Sequence, residues 1–271
     1  MLKIACCQMT SGSDTVKNLE IAKNLVRKAE LNGAQLAILP ELFPIATTDK
    51  KELLAIAEED NDGLIQNELR KWAKDFGITI AGSIALKSEE PDHIYNSCLV
   101  IDRFGNQLAR YDKIHLFEYS TDHEQYKESD LYKAGKEPVH FILPLDNGID
   151  VNVGLAICYD LRFPELFRCL GTPDLIILPA AFTATTGKAH WDILVRARAI
   201  ENLCYFAAAG QAGLNDRGRR CWGHSCVINP WGQVLSELDE EETGICYGTL
   251  DTNFITQVRT SLPAVKQRKI L

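Results

Sequence analysis

No stretch of this sequence approaches the roughly 18 consecutive apolar residues that a membrane-spanning helix requires, so no membrane span is expected. The run Met1 to Met9 carries a single lysine, is too short for a secretory h-region and lacks a small-residue cleavage site; a cytoplasmic location is the expectation. Linkers rich in proline, glycine or serine are missing too. The 271 residues are therefore expected to form one domain, with 262–271 as a C-terminal tail. Neither CxxC nor a paired Cys/His spacing occurs. Cys221 and Cys226 come nearest and have no second pair, so no metal site is expected. The nine cysteines are odd in number, and Cys6, Cys7, Cys98, Cys204, Cys226 and Cys246 lie in apolar runs, which suits reduced, buried thiols rather than a disulfide framework. Positive charge is in deficit, with 29 Lys and Arg against 37 Asp and Glu. The net charge of −8 opposes nucleic acid or an anionic membrane as partner and otherwise serves solubility.

What is present is an alternation of strand-like and helix-like patterns, the mark of an α/β chain. Leu2 to Met9 reads as a strand. Asp14 can cap a helix whose apolar positions are Val16, Leu19, Ala22, Leu25, Val26 and Ala29, with Gly33 as terminator. Gln35 to Leu39 reads as a buried strand closed by Pro40, Leu64 to Phe76 as a helix ended by Gly77, and Ile78 to Ile84 as a strand. Ser97 to Asp102 and Gln107 to Asp112 flank a hairpin connection at Arg103 to Asn106. Beyond residue 150 the theme returns: NGAQLAILPE (32–41) and GTPDLIILPA (171–180) look like copies of one unit. Two α/β halves, each with helices on one face of a sheet, can bury their bare faces against each other. A four-layer α-β-β-α sandwich with an internal pseudo-twofold duplication is the expected fold.

Three residues stand out against that frame. The first copy ends in Pro40-Glu41 where the second ends in Pro179-Ala180, and a carboxylate directly after an apolar strand is either the first exposed loop residue or a group with a task. Cys158 ends the run VNVGLAIC, just before Pro164 can start a helix. A thiol at such an elbow sits near helix N-terminal amides that favour both thiolate and oxyanion; the competing reading is a buried structural cysteine. Lys113, closing LARYDK, is either an inward cation or a solvated loop lysine. None of the six histidines is adjacent to Cys158 in sequence, and His115, two residues beyond Lys113, reads as structural like the rest.

Taken together, AILPELF around Glu41, RYDKIHLFE around Lys113 and GLAICYDLRFPELFR around Cys158 resemble the nitrilase superfamily of carbon–nitrogen hydrolases. YKES around Glu128, AFTATTGKAHWDILVRARAIEN (181–202) and WGHSCVINPWGQVL (222–235) extend the resemblance over nearly the whole chain. The sequence looks most like the omega-amidase and deaminated glutathione amidase branch. The resemblance implies an α-β-β-α sandwich, a catalytic triad of Glu41, Lys113 and Cys158, and Glu128 as a second glutamate. It implies an amidase converting a small carboxamide to its acid plus ammonia through a thioester on Cys158, with a nitrilase or N-carbamoyl amide hydrolase as alternative and a non-catalytic scaffold as the alternative of another class. No metal or organic cofactor is required, because protonated ammonia is a manageable leaving group. Tyr159 would donate its backbone N–H to the oxyanion, Arg162 and Thr186 would contact a substrate carboxylate, and Asn96, Phe182 and Thr183 would line the pocket. Arg162 is equally open to a structural salt bridge with Asp160 or Glu165. For Glu41 to serve as both base and acid, its pKa is expected above the ordinary carboxylate value of about 4.3. Family members commonly assemble, so a homo-oligomer, most simply a dimer, is expected, with the tail 262–271 reaching a neighbour.

Overall fold

Side-chain alternation in the opening strand decides how the layers are built. In β1 (Leu2–Gln8), Leu2, Ile4 and Cys6 enter the core between two sheets, while Ala5 and Cys7 face helices outside. The computed structural model describes residues 1–120, 125–146 and 148–270. Its first half continues through α1 (Thr15–Leu31), β2 (Leu36–Ile38), α2 (Lys50–Ile56), α3 (Leu64–Phe76), β3 (Thr79–Lys87), β4 (Ile94–Ile101) and β5 (Gln107–Asp112). A ribbon of β6 (Glu118–Ser120) and β7 (Gln125–Lys127) leads to the second half, which runs β8 (His140–Pro144), β9 (Asp150–Leu155), α4 (Pro164–Cys169), β10 (Leu175–Ala180), α5 (Ala184–Asn202) and β11 (Tyr205–Gly210). A second ribbon, β12 (Ala212–Leu214) with β13 (Arg220–Trp222), precedes β14 (Cys226–Ile228) and β15 (Val234–Glu237); β16 (Gly244–Leu250) and α6 (Thr252–Ser261) follow.

The two six-stranded sheets are ordered β16-β1-β2-β3-β4-β5 and β8-β9-β10-β11-β14-β15, and they correspond strand for strand. In each, three parallel strands (β1-β2-β3, β9-β10-β11) carry one antiparallel strand on one side and two on the other. The copies NGAQLAILPE and GTPDLIILPA fall on β2 and β10, the matching central strands. Both are apolar throughout because a parallel strand covered on two faces has no solvent side. Helices α1 and α3 pack outside the first sheet, α4 and α5 outside the second, and the bare faces meet in one core, giving the four expected layers.

Local signals acted as expected in several places. Asp14 accepts the Lys17 N–H at 3.1 Å at the start of α1, Pro164 opens α4, and Gly77 (φ +67°) ends α3. Val16 is a correction: it lies 75% exposed, and Asn18 takes the inward position by donating to the Gly12 and Pro44 carbonyls. The helix α2 is too short to carry a periodic signal and was not anticipated. Val265 is buried beside Leu203 and Val258, and Arg268 donates to Val265 and Gly171 carbonyls, so the described part of 262–271 packs on its own chain; Leu271 lies outside the described residues. All nine cysteines are free thiols, only Cys169 being exposed. No helix among the described residues is long and apolar enough to cross a membrane.

Candidate active site

The ends of two strands of the first sheet and one of the second bring Glu41, Lys113 and Cys158 together. Glu41 follows β2, Lys113 follows β5, and Cys158 opens a 3-10 turn (Cys158–Arg162) after β9. All three are nearly inaccessible, at 4%, 1% and 8% exposure. The Lys113 ammonium donates to Glu41 Oε1 at 2.9 Å and to both oxygens of Glu128 at 3.0 and 2.9 Å. Glu41 is also within hydrogen-bond reach of the Cys158 thiol, as is the Ala181 N–H. A buried lysine is tolerable here only because two carboxylates neutralise it. Behind it, Gly135 donates to the Lys113 carbonyl at 2.9 Å, in a space so tight that a Cβ would meet the Asp112 carbonyl oxygen at 2.0 Å.

Two backbone conformations aim these groups. Cys158 has φ +46° and Leu42, next to Glu41, has φ +45°. A left-handed non-glycine residue costs on the order of 1–3 kcal/mol and persists only where surrounding contacts enforce it. For Cys158 the enforcement is Asp160, fully buried, whose carboxylate accepts the Ile157 N–H (2.9 Å), the Tyr111 hydroxyl (2.7 Å), the His115 N–H (3.1 Å) and lies 2.7 Å from His115 Nδ1. One carboxylate thus ties the cysteine elbow to β5 and the loop after Lys113. His115 stacks flat on Phe163, the structural role expected of it. Exchanging Asp160 for Asn would place an N–H₂ among donors; the D160N protein is expected to lose roughly 3 kcal/mol in urea unfolding.

Asn96 was expected to line the pocket and does something else. Its Nδ2 donates to Glu41 Oε1 at 2.8 Å while Ser83 Oγ holds its Oδ1, so it fixes the carboxylate from behind. Glu128 is held by the Phe117 N–H at 2.7 Å. Tyr159, Arg162, Phe182, Thr183 and Thr186 share with Cys158 a narrow cleft of about 20 Å³. Thr183 caps α5, its Oγ1 lying 2.9 Å from Thr186 Oγ1, which commits that hydroxyl to structure. Arg162 forms no ion pair with Asp160 or Glu165. Its guanidinium lies between the Tyr159 and Phe182 rings at 5.6 and 5.3 Å and meets His190 Nδ1 at 3.1 Å, leaving its charge open to the cleft. Glu41, Phe117, Glu128, Ala181 and Arg219 line both the cleft and a larger cavity of about 440 Å³ beyond it.

The protonation pattern follows from this packing and overturns one expectation. Burial pushes Glu41 up, yet the Lys113 charge, with hydrogen bonds from Cys158 and Lys113, outweighs it, and the carboxyl sits below its ordinary value of 4.5. Glu128 is the carboxyl that ends raised, because burial and the Glu41 charge prevail over Lys113. Burial and the neighbouring Glu41 charge hold the Cys158 thiol well above 9.0, against the opposing pull of Lys113. Burial opposes the Lys113 ammonium, but Glu128 and Glu41 hold its pKa well above 10.5. The resting site is therefore carboxylate, ammonium and neutral thiol. Iodoacetamide alkylation of Cys158, which consumes thiolate, should still be rising with pH at 9.0, the ordinary thiol value; a plateau below that pH would contradict this state.

Residues 3–260 match the carbon-nitrogen hydrolase family. The chain belongs to that family. Its sequence is 36% identical over 277 residues to the deaminated glutathione amidase of Yersinia enterocolitica, covering 99% of this chain and 93% of that protein. Its fold matches the Caenorhabditis elegans NitFhit protein with a TM-score of 0.86 at 36% identity, over 99% of this chain and 65% of that longer one. It also matches the Nesterenkonia sp. AN1 amidase (TM-score 0.78, 28% identity, 97% of this chain and 98% of that one), in which acrylamide has added at the active-site cysteine. Among the described residues of this carbon-nitrogen hydrolase, Glu90, Asp92 and His93 are the group whose ligand atoms lie close enough to hold a metal; it is exposed and shares no residue with the site above. Asp160, whose place two residues after Cys158 is the sequence signal for it, and Arg219, in the basic run 217–220, are the residues missed by sequence reasoning.

Proposed function

We propose that this carbon-nitrogen hydrolase is an amidase that forms an acyl thioester on Cys158, with Glu41 as general base and acid and Lys113 as oxyanion donor. The observation that carries the reading is the contact of one carboxylate, Glu41, with both the thiol and the ammonium. Glu41 takes the thiol proton as sulfur attacks the amide carbon. The electron pair moves to oxygen, and the ammonium of Lys113 and the N–H of Tyr159, in the first turn after the elbow, hold that charge. Glu41 returns the proton to nitrogen, the carbon–nitrogen bond breaks, and ammonia or an amine departs. Water then gives a proton to Glu41 and its hydroxide to the thioester carbon, and the sulfur leaves and is reprotonated. A low Glu41 pKa leaves the base ionised and waiting, whereas the raised thiol opposes transfer of its proton in the resting site; the proton therefore moves to Glu41 only as the sulfur–carbon bond forms and acidifies the S–H. Glu128 orients Lys113, and no metal or organic cofactor enters any step.

The open guanidinium of Arg162 in the cleft, with Thr186 beside it, favours an acyl group that ends in a carboxylate. Deaminated glutathione amidases among the relatives make a carboxylate-bearing amide the first substrate to try. Intact mass spectrometry after brief exposure to a panel of amides, nitriles and carbamoyl compounds tests the reading: an acyl adduct on Cys158 with amides supports it. Turnover of nitriles or carbamoyl compounds alone would replace it, and absence of any adduct or turnover would leave a scaffold. One domain over residues 1–271, a cytoplasmic location suited to nine free thiols, and a homodimer belong to the same reading. The apolar side chains Ile193, Ile200 and Trp231, exposed by 68%, 45% and 63%, favour assembly. Sedimentation should give twice the 30.3 kDa chain mass.

A further inference from the structure

Gln211, directly after β11, is 5% exposed and has a partner for each of its polar atoms. Its backbone N–H donates to the Ala180 carbonyl at 2.9 Å, and its carbonyl accepts the Gly223 N–H at 3.0 Å. The side chain crosses to the first half of the chain and pairs with Ser11, which is 1% exposed. The Ser11 N–H donates to Gln211 Oε1 at 2.9 Å, and Gln211 Nε2 donates to the Ser11 hydroxyl oxygen at 2.7 Å. This reciprocal pair fixes the orientation of the amide, because a backbone N–H must meet its oxygen and not its nitrogen. What remains of both groups goes to one turn. The Ser11 hydroxyl donates to the Phe43 carbonyl at 2.8 Å, and the Gln211 amide donates also to the Glu41 carbonyl at 3.2 Å. Those two carbonyls flank Leu42, the left-handed residue (φ +45°) beside the base, whose own N–H is held by Ser83 Oγ at 3.2 Å.

The same glutamine holds the nucleophile side. The Ala180–Ala181 peptide, whose carbonyl accepts the Gln211 N–H, is the one whose own N–H reaches the Cys158 sulfur. A left-handed non-glycine turn persists only while its surroundings enforce it, and here the enforcing contacts come from the other sheet. We infer that Gln211, together with Ser11, is a positioning residue: the pair holds the Leu42 turn left-handed and so keeps the Glu41 carboxylate against both the Cys158 thiol and the Lys113 ammonium. The consequence for turnover rests on the amidase reading above; the placement of Glu41 against the thiol does not. The groups facing Glu41 are the Lys113 ammonium, the Glu128 carboxyl, the Cys158 and Cys221 thiols, the Tyr132 hydroxyl and the Arg219 guanidinium. Freed from its anchors, the carboxylate draws back from Lys113 and from the sulfur. Its pKa then rises, because burial persists while the attraction of Lys113 weakens. The thiol pKa falls, because the Glu41 charge that raises it is farther away.

Q211L keeps the bulk of the side chain and removes its hydrogen bonds, while S11A removes a single hydroxyl and tests the same turn by a smaller change should Q211L fail to fold. In Q211L, kcat on succinamate, a carboxamide whose acyl group ends in a carboxylate, should fall about 10- to 100-fold with KM changed less than about 3-fold, the mark of a misplaced reacting group. The acid limb of kcat/KM, which reports the base in the free enzyme, should move to higher pH. Alkylation by iodoacetamide, read at Cys158 by peptide mass, should begin its rise at lower pH. S11A should move both profiles in the same directions by less. An alkylation profile that stays in place in variants shown by circular dichroism to be folded would overturn the inference whatever the loss of kcat, since a pair that only supports the fold does not move it. Faster alkylation at every pH without a displaced profile would do the same, because it reports access to the thiol and not the field of Glu41. The alkylation measurement needs no turnover and so keeps the two readings apart. If the wild type hydrolyses no amide while the profile moves in Q211L and S11A, the amidase reading fails and the positioning stands; if amides turn over and the profile does not move, the positioning fails alone.

Discussion

Cys158→Ala is expected to lower turnover of any amide substrate by about five orders of magnitude and to abolish the acyl adduct, because neither Glu41 nor Lys113 can replace the covalent step. Stability should change little, within about 1 kcal/mol, since only one sulfur atom on the wall of the cleft is lost and the left-handed backbone is held by Asp160 rather than by the sulfur. The thermal midpoint and the activity are read on the same preparation. More than about 1% residual turnover would mean that the thiol is not the nucleophile. The pairing of a large catalytic effect with a small structural one is the diagnostic part, because a cysteine that merely fills the core would give the reverse.

Lys113→Met should be costly in both respects. Losing an oxyanion donor lowers kcat by about 100- to 1000-fold. Removing the ammonium also leaves the Glu41 and Glu128 carboxylates facing each other without a cation, a loss of about 3–5 kcal/mol at neutral pH. The sign of its pH dependence is fixed by linkage. In the wild type the depressed Glu41 contributes stability above its ordinary 4.5 that is lost as pH falls through its lower folded value, whereas raised Lys113 contributes stability that is lost only above 10.5. Without Lys113 both carboxyls titrate upward, so K113M should regain stability relative to wild type on acidification. Urea unfolding at pH 7 and pH 5 measures this, and K113M/E128Q should recover a large part of the loss at pH 7. A K113M protein as stable as wild type at both pH values would show that the ammonium is not the counter-ion of this pair.

The elbow at Cys158 was legible because its signal is local: an apolar run, a cysteine, then proline at a helix start. The internal repeat was legible for the same reason, since β2 and β10 are each a contiguous apolar strand closed by proline. Glu41 showed through a break in that repeat, carboxylate against alanine. Asn96 was noticed but misplaced. Its own strand gives no sign that its amide, held by Ser83, would point at a carboxylate 55 residues away. Asp160 and Arg219 were missed because their roles are set by partners distant in sequence: Tyr111 and His115 for the one, Ala181 and Tyr126 for the other. The direction of the Glu41 shift was misjudged for a related reason. Burial can be guessed from an apolar context, whereas the opposing field of Lys113 depends on a separation of 2.9 Å that only packing produces.

Composition, periodicity and local punctuation determined the layers, the repeated unit and the residue types available for chemistry, all of which depend on interactions between near neighbours along the chain. Only the tertiary structure decided which carboxyl is depressed and which is raised, and which hydroxyl is spent on a helix cap. Those outcomes are fixed by electrostatics and hydrogen bonding over a few ångströms in a site with little water, and such distances are set when two sheets from opposite halves of the sequence close on each other.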